Sequence, residues 1–166
     1  MAAITCWSFD LSRQLKSPPP TTDITAWVKQ AEKRNFPRNE AFNFDMELKK
    51  RNMELIVILD EILLPDPKAL VGYLVFARNH RTAMLHKICV LDEYRRQGIA
   101  RKMLKRQIEK LRSQNCERVL LWVDEMRNPA KSLYIGLGFK DVDRVEDYYA
   151  SGRAGIQMIL SLLPSG

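Results

Sequence analysis

Val90-Leu91-Asp92-Glu93-Tyr94-Arg95-Arg96-Gln97-Gly98-Ile99-Ala100 is the stretch on which the fold turns. A β-type run, residues 83–91 (AMLHKICVL), enters it, and an amphipathic run, residues 98–115, leaves it. In the second run Ala100, Met103, Leu104, Ile108 and Leu111 recur at helical spacing, with most lysines and arginines opposite. The stretch is therefore a strand-to-helix junction with Arg-Arg-Gln-Gly-Ile-Ala at the bend. The first N–H groups of a helix lack intrahelical partners, and the macrodipole adds about half a positive charge there, so such a junction attracts anions. Gly98 lacks a Cβ and lets main chain approach a phosphate, Ala100 keeps the next position small, and Arg95 and Arg96 add full charges.

The charge pattern points the same way. The net charge of the 166 residues is +7. Between Arg95 and Arg112 eight basic residues face only Glu109, so this segment carries the whole excess and the remainder sums to zero. A local excess implies a local anion site, and a solvated basic helix face is the competing explanation. For Lys105, Arg106, Lys110 and Arg112 the solvated face is the simpler reading.

Apolar residues make up 46% and charged residues 28%, a globular composition that excludes disorder for the body of the chain. The length suits one domain, residues 1–166. No run nears the ~20 apolar residues of a membrane span, and the N-terminus lacks the basic-then-apolar pattern of a signal peptide. Cys6, Cys89 and Cys116 are odd in number and show no C-x-x-C spacing, which argues against a disulfide framework or a zinc site; no metal is expected. Free thiols suit a reducing compartment, and the cytoplasm, with the nucleus in addition, is the expected location.

Working outward, residues 4–11 read as a first strand and Ser17 to Thr22, with three prolines, as an extended loop. Asp23 caps a helix through Ala31 that Pro37 ends, and a second helical stretch runs from Asn39 through Leu48 into Lys49-Lys50-Arg51. Residues 55–59, 70–78 and 83–91 form three strands. After the basic helix come a strand at 119–123, a short helix from Arg127 or Asn128 to Gly136 or Gly138, and strands at 139–145 and 156–162, separated by a loop holding Tyr148-Tyr149-Ala150-Ser151-Gly152. This order predicts a mixed-sheet α/β domain.

Arg95, Gly98 and Ala100 match the Gln/Arg-x-x-Gly-x-Gly/Ala pattern of the GCN5-related N-acetyltransferase (GNAT) family, and Ala130-Lys131-Ser132-Leu133-Tyr134-Ile135-Gly136-Leu137-Gly138-Phe139 resembles its second signature, Ala-x-x-Leu-Tyr-x-x-x-Gly-Phe. The resemblance covers residues 70–162 and, within the family, is nearest in pattern to ribosomal-protein-type N-terminal acetyltransferases. It implies the GNAT fold, a mostly antiparallel seven-stranded sheet with about four helices, and acetyl-CoA as cofactor. The amides of Arg96, Gln97, Gly98, Ile99 and Ala100 would hold the pyrophosphate, Ile88, Cys89 and Val90 would offer strand backbone to the pantetheine arm, and Arg95, Arg101 and Asn128 would assist.

Tyr134 matches the tyrosine that many family members use as acid near the sulfur, and it would also contact the cofactor. The strand position that in such acetyltransferases often carries a Glu or His as general base is Trp122, and Arg127 stands where the family has asparagine, with Asn128 following it. His86 substitutes as base, because Met84, His86, Ile88 and Val90 share one strand face. Asp124 and Glu125 are weaker candidates, as turn carboxylates are commonly solvated. Tyr148, Tyr149, Phe36 and Met84 are the substrate contacts that the resemblance implies. Arg153 stands where acidic residues usually follow the glycine.

With a modest base, an α-amine (pKa near ~8) is easier to deprotonate than lysine (near ~10.4), by roughly 3 kcal/mol. The acceptor is therefore expected to be a protein or peptide N-terminus, with a polyamine or antibiotic amine, or a non-catalytic CoA-binding or nucleic-acid-binding module, as alternatives. Nucleic acid is disfavoured because no motif or aromatic interleaving accompanies the basic helix. An auxiliary subunit is left open.

Overall fold

The structure, a computed structural model, describes residues 4–10, by their backbone, and 24–164. The Ser17–Thr22 loop, the Asp23 cap and Leu11 lie outside the described residues. The strands are β1 (Ile4–Asp10), β2 (Met53–Asp60), β3 (Leu70–Asn79), β4 (Thr82–Val90), β5 (Arg118–Asp124), β6 (Lys140–Ala150) and β7 (Arg153–Ser161), and the helices α1 (Ile24–Asn35), α2 (Phe44–Glu47), α3 (Ile99–Ser113) and α4 (Asn128–Gly136). The hydrogen-bonded strand order is β1-β2-β3-β4-β5-β7-β6. β1 with β2, β5 with β7 and β6 with β7 are antiparallel, whereas β4 and β5 are parallel from Thr82↔Arg118 to Leu85↔Leu121. This is the GNAT fold that the motifs implied.

The chain packs as two compact units, one made of Met1–Phe76 and Lys87–Ile99, the other of Ala77–His86 and Ala100–Gly166. In the first, β2 and β3 are buried on both faces, and Val57, Val71, Tyr73, Leu74 and Val75 are fully enclosed. Helix α1 adds the stripe Ile24, Val28, Ala31 and Glu32, and Phe44 sets its ring edge-on to Tyr73 at 6.0 Å. In the second unit α3 buries Met103, Leu104, Gln107, Ile108 and Leu111 and leaves Arg101, Lys102, Lys105, Arg106 and Arg112 exposed. That division is the amphipathic pattern read from the sequence. β5 alternates, with Val119, Leu121 and Val123 inward.

Two expectations need correction. The helical stretch from Asn39 to Leu48 shrinks to the single turn Phe44–Glu47, capped by Asn43, whose side chain accepts from the Met46 amide at 3.2 Å. The backbone before it is committed elsewhere: the Glu40 carbonyl accepts from Lys87 Nζ at 2.6 Å, and the Phe42 amide donates to Glu32 at 2.8 Å. The tyrosine pair does not sit in a loop: Tyr148 and Tyr149 lie within β6, and the turn is only Ser151-Gly152. β6 is an edge strand whose register against β7 breaks at Asp141/Asp143 and again at Val145/Ala150, so the alternation that marks a regular strand is lost there.

A Cβ added at Gly72 would come within 2.6 Å of the Cys89 carbonyl oxygen, a backbone atom that cannot swing aside. Gly72→Ala should therefore force β3 and β4 apart locally and cost about 2 kcal/mol. Chemical denaturation of the two proteins measures this, and an unchanged midpoint would contradict the close approach.

Candidate active site

The bend after β4 is braced from within. A short 3-10 turn, Asp92–Tyr94, follows β4, and the Leu91 amide donates to the Val71 carbonyl at 2.9 Å. The Arg95 guanidinium donates to the Val90 carbonyl at 2.9 Å and to Asn35 Oδ1 at 3.0 Å, and pairs with Asp92 at 2.5 Å. Arg95 is thus a structural brace whose side chain is still half exposed. Arg96 and Gly98 both have left-handed backbone, with φ of 60° and 73°. Alternation of this kind turns successive amides toward one side and forms an anion-binding concavity. Arg96, Gln97 and Gly98 are exposed, and the space a Gly98 Cβ would occupy is open. Gly98 is therefore required by its backbone angle and not by crowding. Helix α3 starts at Ile99 and has no acidic residue in its first turn, so its N-terminus stays positive.

Strand β4 sorts its residues by parity. Ala83, Leu85 and Cys89 are buried, while Met84, Ile88 and Val90 are partly covered and His86 is exposed. Burial pushes the Cys89 thiol above its ordinary pKa, which leaves it a poor nucleophile. Lys87 falls on the buried parity, and its ammonium lies 3.2 Å from Glu32 and 3.7 Å from the Phe36 ring centroid.

In the second unit Tyr134 is buried, with its ring edge-on to Phe139 at 5.8 Å. Burial pushes its pKa up to about 12, against an opposing pull from Arg127. Trp122 and Tyr148 stack at 4.3 Å with 11° between planes, and Tyr149 meets Tyr148 edge-on at 5.0 Å. Tyr148 lies directly on Gly155, where a Cβ would approach its ring carbon to 2.7 Å. Asn128, exposed, opens α4, and Arg101 donates to the Gly136 carbonyl at 3.3 Å at that helix's last residue. Met84 pairs with Leu120 in the parallel ladder. The structure thus gathers Trp122, Tyr148 and Tyr149 into one aromatic cluster, and leaves the bend residues Arg96, Gln97 and Gly98 exposed ahead of α3.

Asp124 is not the solvated turn carboxylate expected from its position. It is buried, accepts the Met126 amide at 2.9 Å and receives Arg153 Nε at 2.8 Å. Arg153, at the place where acidic residues were expected, is the cation that Asp124 requires. Glu125 takes both Nε and Nη2 of Arg144 at 2.8 Å. Two further residues escaped the sequence reading, Glu32 and Lys87. Their signal was present: Glu32 falls on the Ile24-Val28-Ala31 stripe, and Lys87 on the inward parity of β4.

Burial alone would raise the Asp124 pKa, but the Met126 amide and Arg153 outweigh it and hold the carboxyl below its ordinary 3.8. A depressed folded pKa contributes stability that is complete above 3.8 and is lost as pH falls through the folded value. Arg153→Met should therefore cost about 3 kcal/mol at neutral pH, where the carboxylate is left buried and unpaired, and less in acid. Urea midpoints at pH 7 and at about pH 3 test this, the lower pH lying within the carboxylate range. An equal loss at both would refute the pairing.

Comparison with known proteins places this geometry. Residues 21–139 match the acetyltransferase (GNAT) family. An N-alpha-acetyltransferase of Sulfurisphaera tokodaii is 38% identical over 76 residues, 45% of this chain and 46% of the relative. An N-alpha-acetyltransferase of Saccharolobus solfataricus is 41% identical over 66 residues, 39% of this chain and 40% of the relative. The matches thus span less than half the length of these relatives. The ribosomal-protein-S18-alanine N-acetyltransferase of Escherichia coli has the same fold, with a TM-score of 0.77 at 20% identity over 99% of this chain and 97% of that one. The motif bend, the strand order and a match over most of its length agree, and the chain belongs to the acetyltransferase (GNAT) family.

Proposed function

We propose that this chain acts as one acetyltransferase domain that moves the acetyl group of acetyl-CoA to a primary amine, with the N-terminal α-amine of a protein or peptide as acceptor. The observation that carries the reading is the bend at Arg96–Gly98: two left-handed residues, exposed to solvent, an open flank at Gly98 and a helix N-terminus without acidic residues. These features suit a diphosphate. The names of the two archaeal relatives support the α-amine acceptor.

Arg96, Gln97, Gly98, Ile99 and Ala100 would hold the diphosphate, with Arg101 and Asn128 assisting, and Ile88, Cys89 and Val90 would present backbone beside it. Arg95 serves by fixing the bend. When bound, acetyl-CoA supplies the thioester carbonyl that the amine attacks. Tyr134, with its pKa pushed up to about 12, stays protonated at neutral pH. Its phenol is a weaker acid than a thiol of pKa ~8.5, so Tyr134 would stabilise developing negative charge on sulfur by donating a hydrogen bond and would not release its proton outright. His86, exposed on β4, would take the amine proton, directly or through water. Asp124 and Glu125 are held by arginines and are poor bases. Phe36, Met84, Tyr148 and Tyr149 provide acceptor contacts. Trp122, stacked on Tyr148, fills the place of the family's strand base with an aromatic surface.

Acetyl-CoA should raise the melting temperature of the wild type, because a ligand of the folded state stabilises it. Gly98→Val, which cannot readily adopt the φ of 73°, should lose this shift. Tyr134→Phe should keep the shift and lower kcat about a hundredfold. A panel of peptides with free and blocked N-termini, together with spermidine, assigns the acceptor. Equal turnover of blocked lysine-containing peptides would reject the α-amine, and a Gly98→Val protein that binds as well as wild type would reject the bend.

A further inference from the structure

The Glu32–Lys87 pair takes no part in the chemistry above, yet it is among the most enclosed polar groups described. Glu32 is 2% exposed, and its carboxylate has three partners: the Phe42 amide at 2.8 Å, Lys87 Nζ at 3.2 Å and the Tyr73 hydroxyl. Both carboxylate oxygens are thus engaged. Lys87 in turn donates to the Glu40 carbonyl at 2.6 Å and lies over the Phe36 ring. The Phe36 ring, the Glu40 carbonyl and the Phe42 amide all belong to the short segment between α1 and α2. Their anchors are regular elements: Glu32 on α1, Tyr73 on β3 and Lys87 on β4.

A connecting segment ordinarily takes its backbone partners from water and is correspondingly mobile. In this one the Glu40 carbonyl and the Phe42 amide take theirs from a buried ion pair. Such pairs add little net stability, because desolvation offsets the Coulomb attraction, but their bonds are directional and fix geometry. The Glu40 and Phe42 bonds also explain why residues 39–43 are not helical. We infer that Glu32 and Lys87 are positioning residues that set the conformation of residues 36–42 and, through Phe36, the affinity for the acceptor amine. The link to acceptor affinity rests on the proposed acetyl transfer; the hold on the segment does not.

The test is the double variant Glu32→Gln/Lys87→Met, which removes both charges and strands neither, set beside Lys87→Arg, which keeps the cation. Hydrogen exchange across residues 36–42 should quicken about tenfold or more in the double variant while β2 and β3 keep their protection. The KM for the acceptor peptide should rise about tenfold, a loss of uniform binding, with kcat and the KM for acetyl-CoA within about threefold of wild type. Lys87→Arg should restore both readouts toward wild type. Unchanged exchange in a folded double variant overturns the hold on the segment, and unchanged acceptor KM overturns the link to affinity. A fall in kcat with acceptor KM unchanged also overturns that link. If the wild-type chain acetylates no amine, the acetyl-transfer reading fails and the affinity link with it, while exchange still decides the hold on the segment.

Discussion

The two-residue pleat of β4 is the constraint on which the rest depends. Successive side chains of a strand must leave on opposite faces. Once Ala83, Leu85 and Cys89 are committed to the buried side, Lys87 follows them and His86 cannot. Lys87 therefore enters the first unit, where Glu32 neutralises it, and His86 remains exposed. Slipping the strand by one residue would bury His86 and expel Cys89. The close approach of Gly72 to the Cys89 carbonyl holds the register in place.

Two buried carboxylates follow the same rule in different units. A carboxylate out of water is tolerated only if charge and hydrogen bonds replace the water. Glu32 finds Lys87, Tyr73 and the Phe42 amide; Asp124 finds Arg153 and the Met126 amide. Asp124, held below its ordinary pKa, is thereby a poor proton acceptor. In the proposed reaction the exposed His86 imidazole is the proton acceptor and the buried Tyr134 phenol a hydrogen-bond donor, a modest set that suits an acceptor amine already partly neutral at physiological pH.

Much of the fold was legible because the signals are local. The bend motif, the amphipathic stripe of α3 and the Leu-Tyr segment of α4 each declare themselves within about a dozen residues, and helical or strand periodicity needs nothing further. Where sequence reasoning went astray, the cause was a distant partner. Residues 39–43 carry helix-compatible side chains, but Glu32 and Lys87 claim the backbone groups a helix would use. Tyr148 and Tyr149 look like loop residues because β6 is an irregular edge strand whose outward positions are nearly all exposed. Asp124 looks solvated until Arg153, 29 positions away, is brought beside it.

The element order, the basic helix, the glycine at the bend and with them the family are readable from the residues alone. Those follow from backbone sterics and from which side chains prefer water, both properties of short segments. Tertiary structure alone decided which charges would be paired, which tyrosines would stack and which carboxylates would lose their solvent. The physical reason is that the free energy of a charge depends on what replaces its water, and that is set by residues far away in the chain.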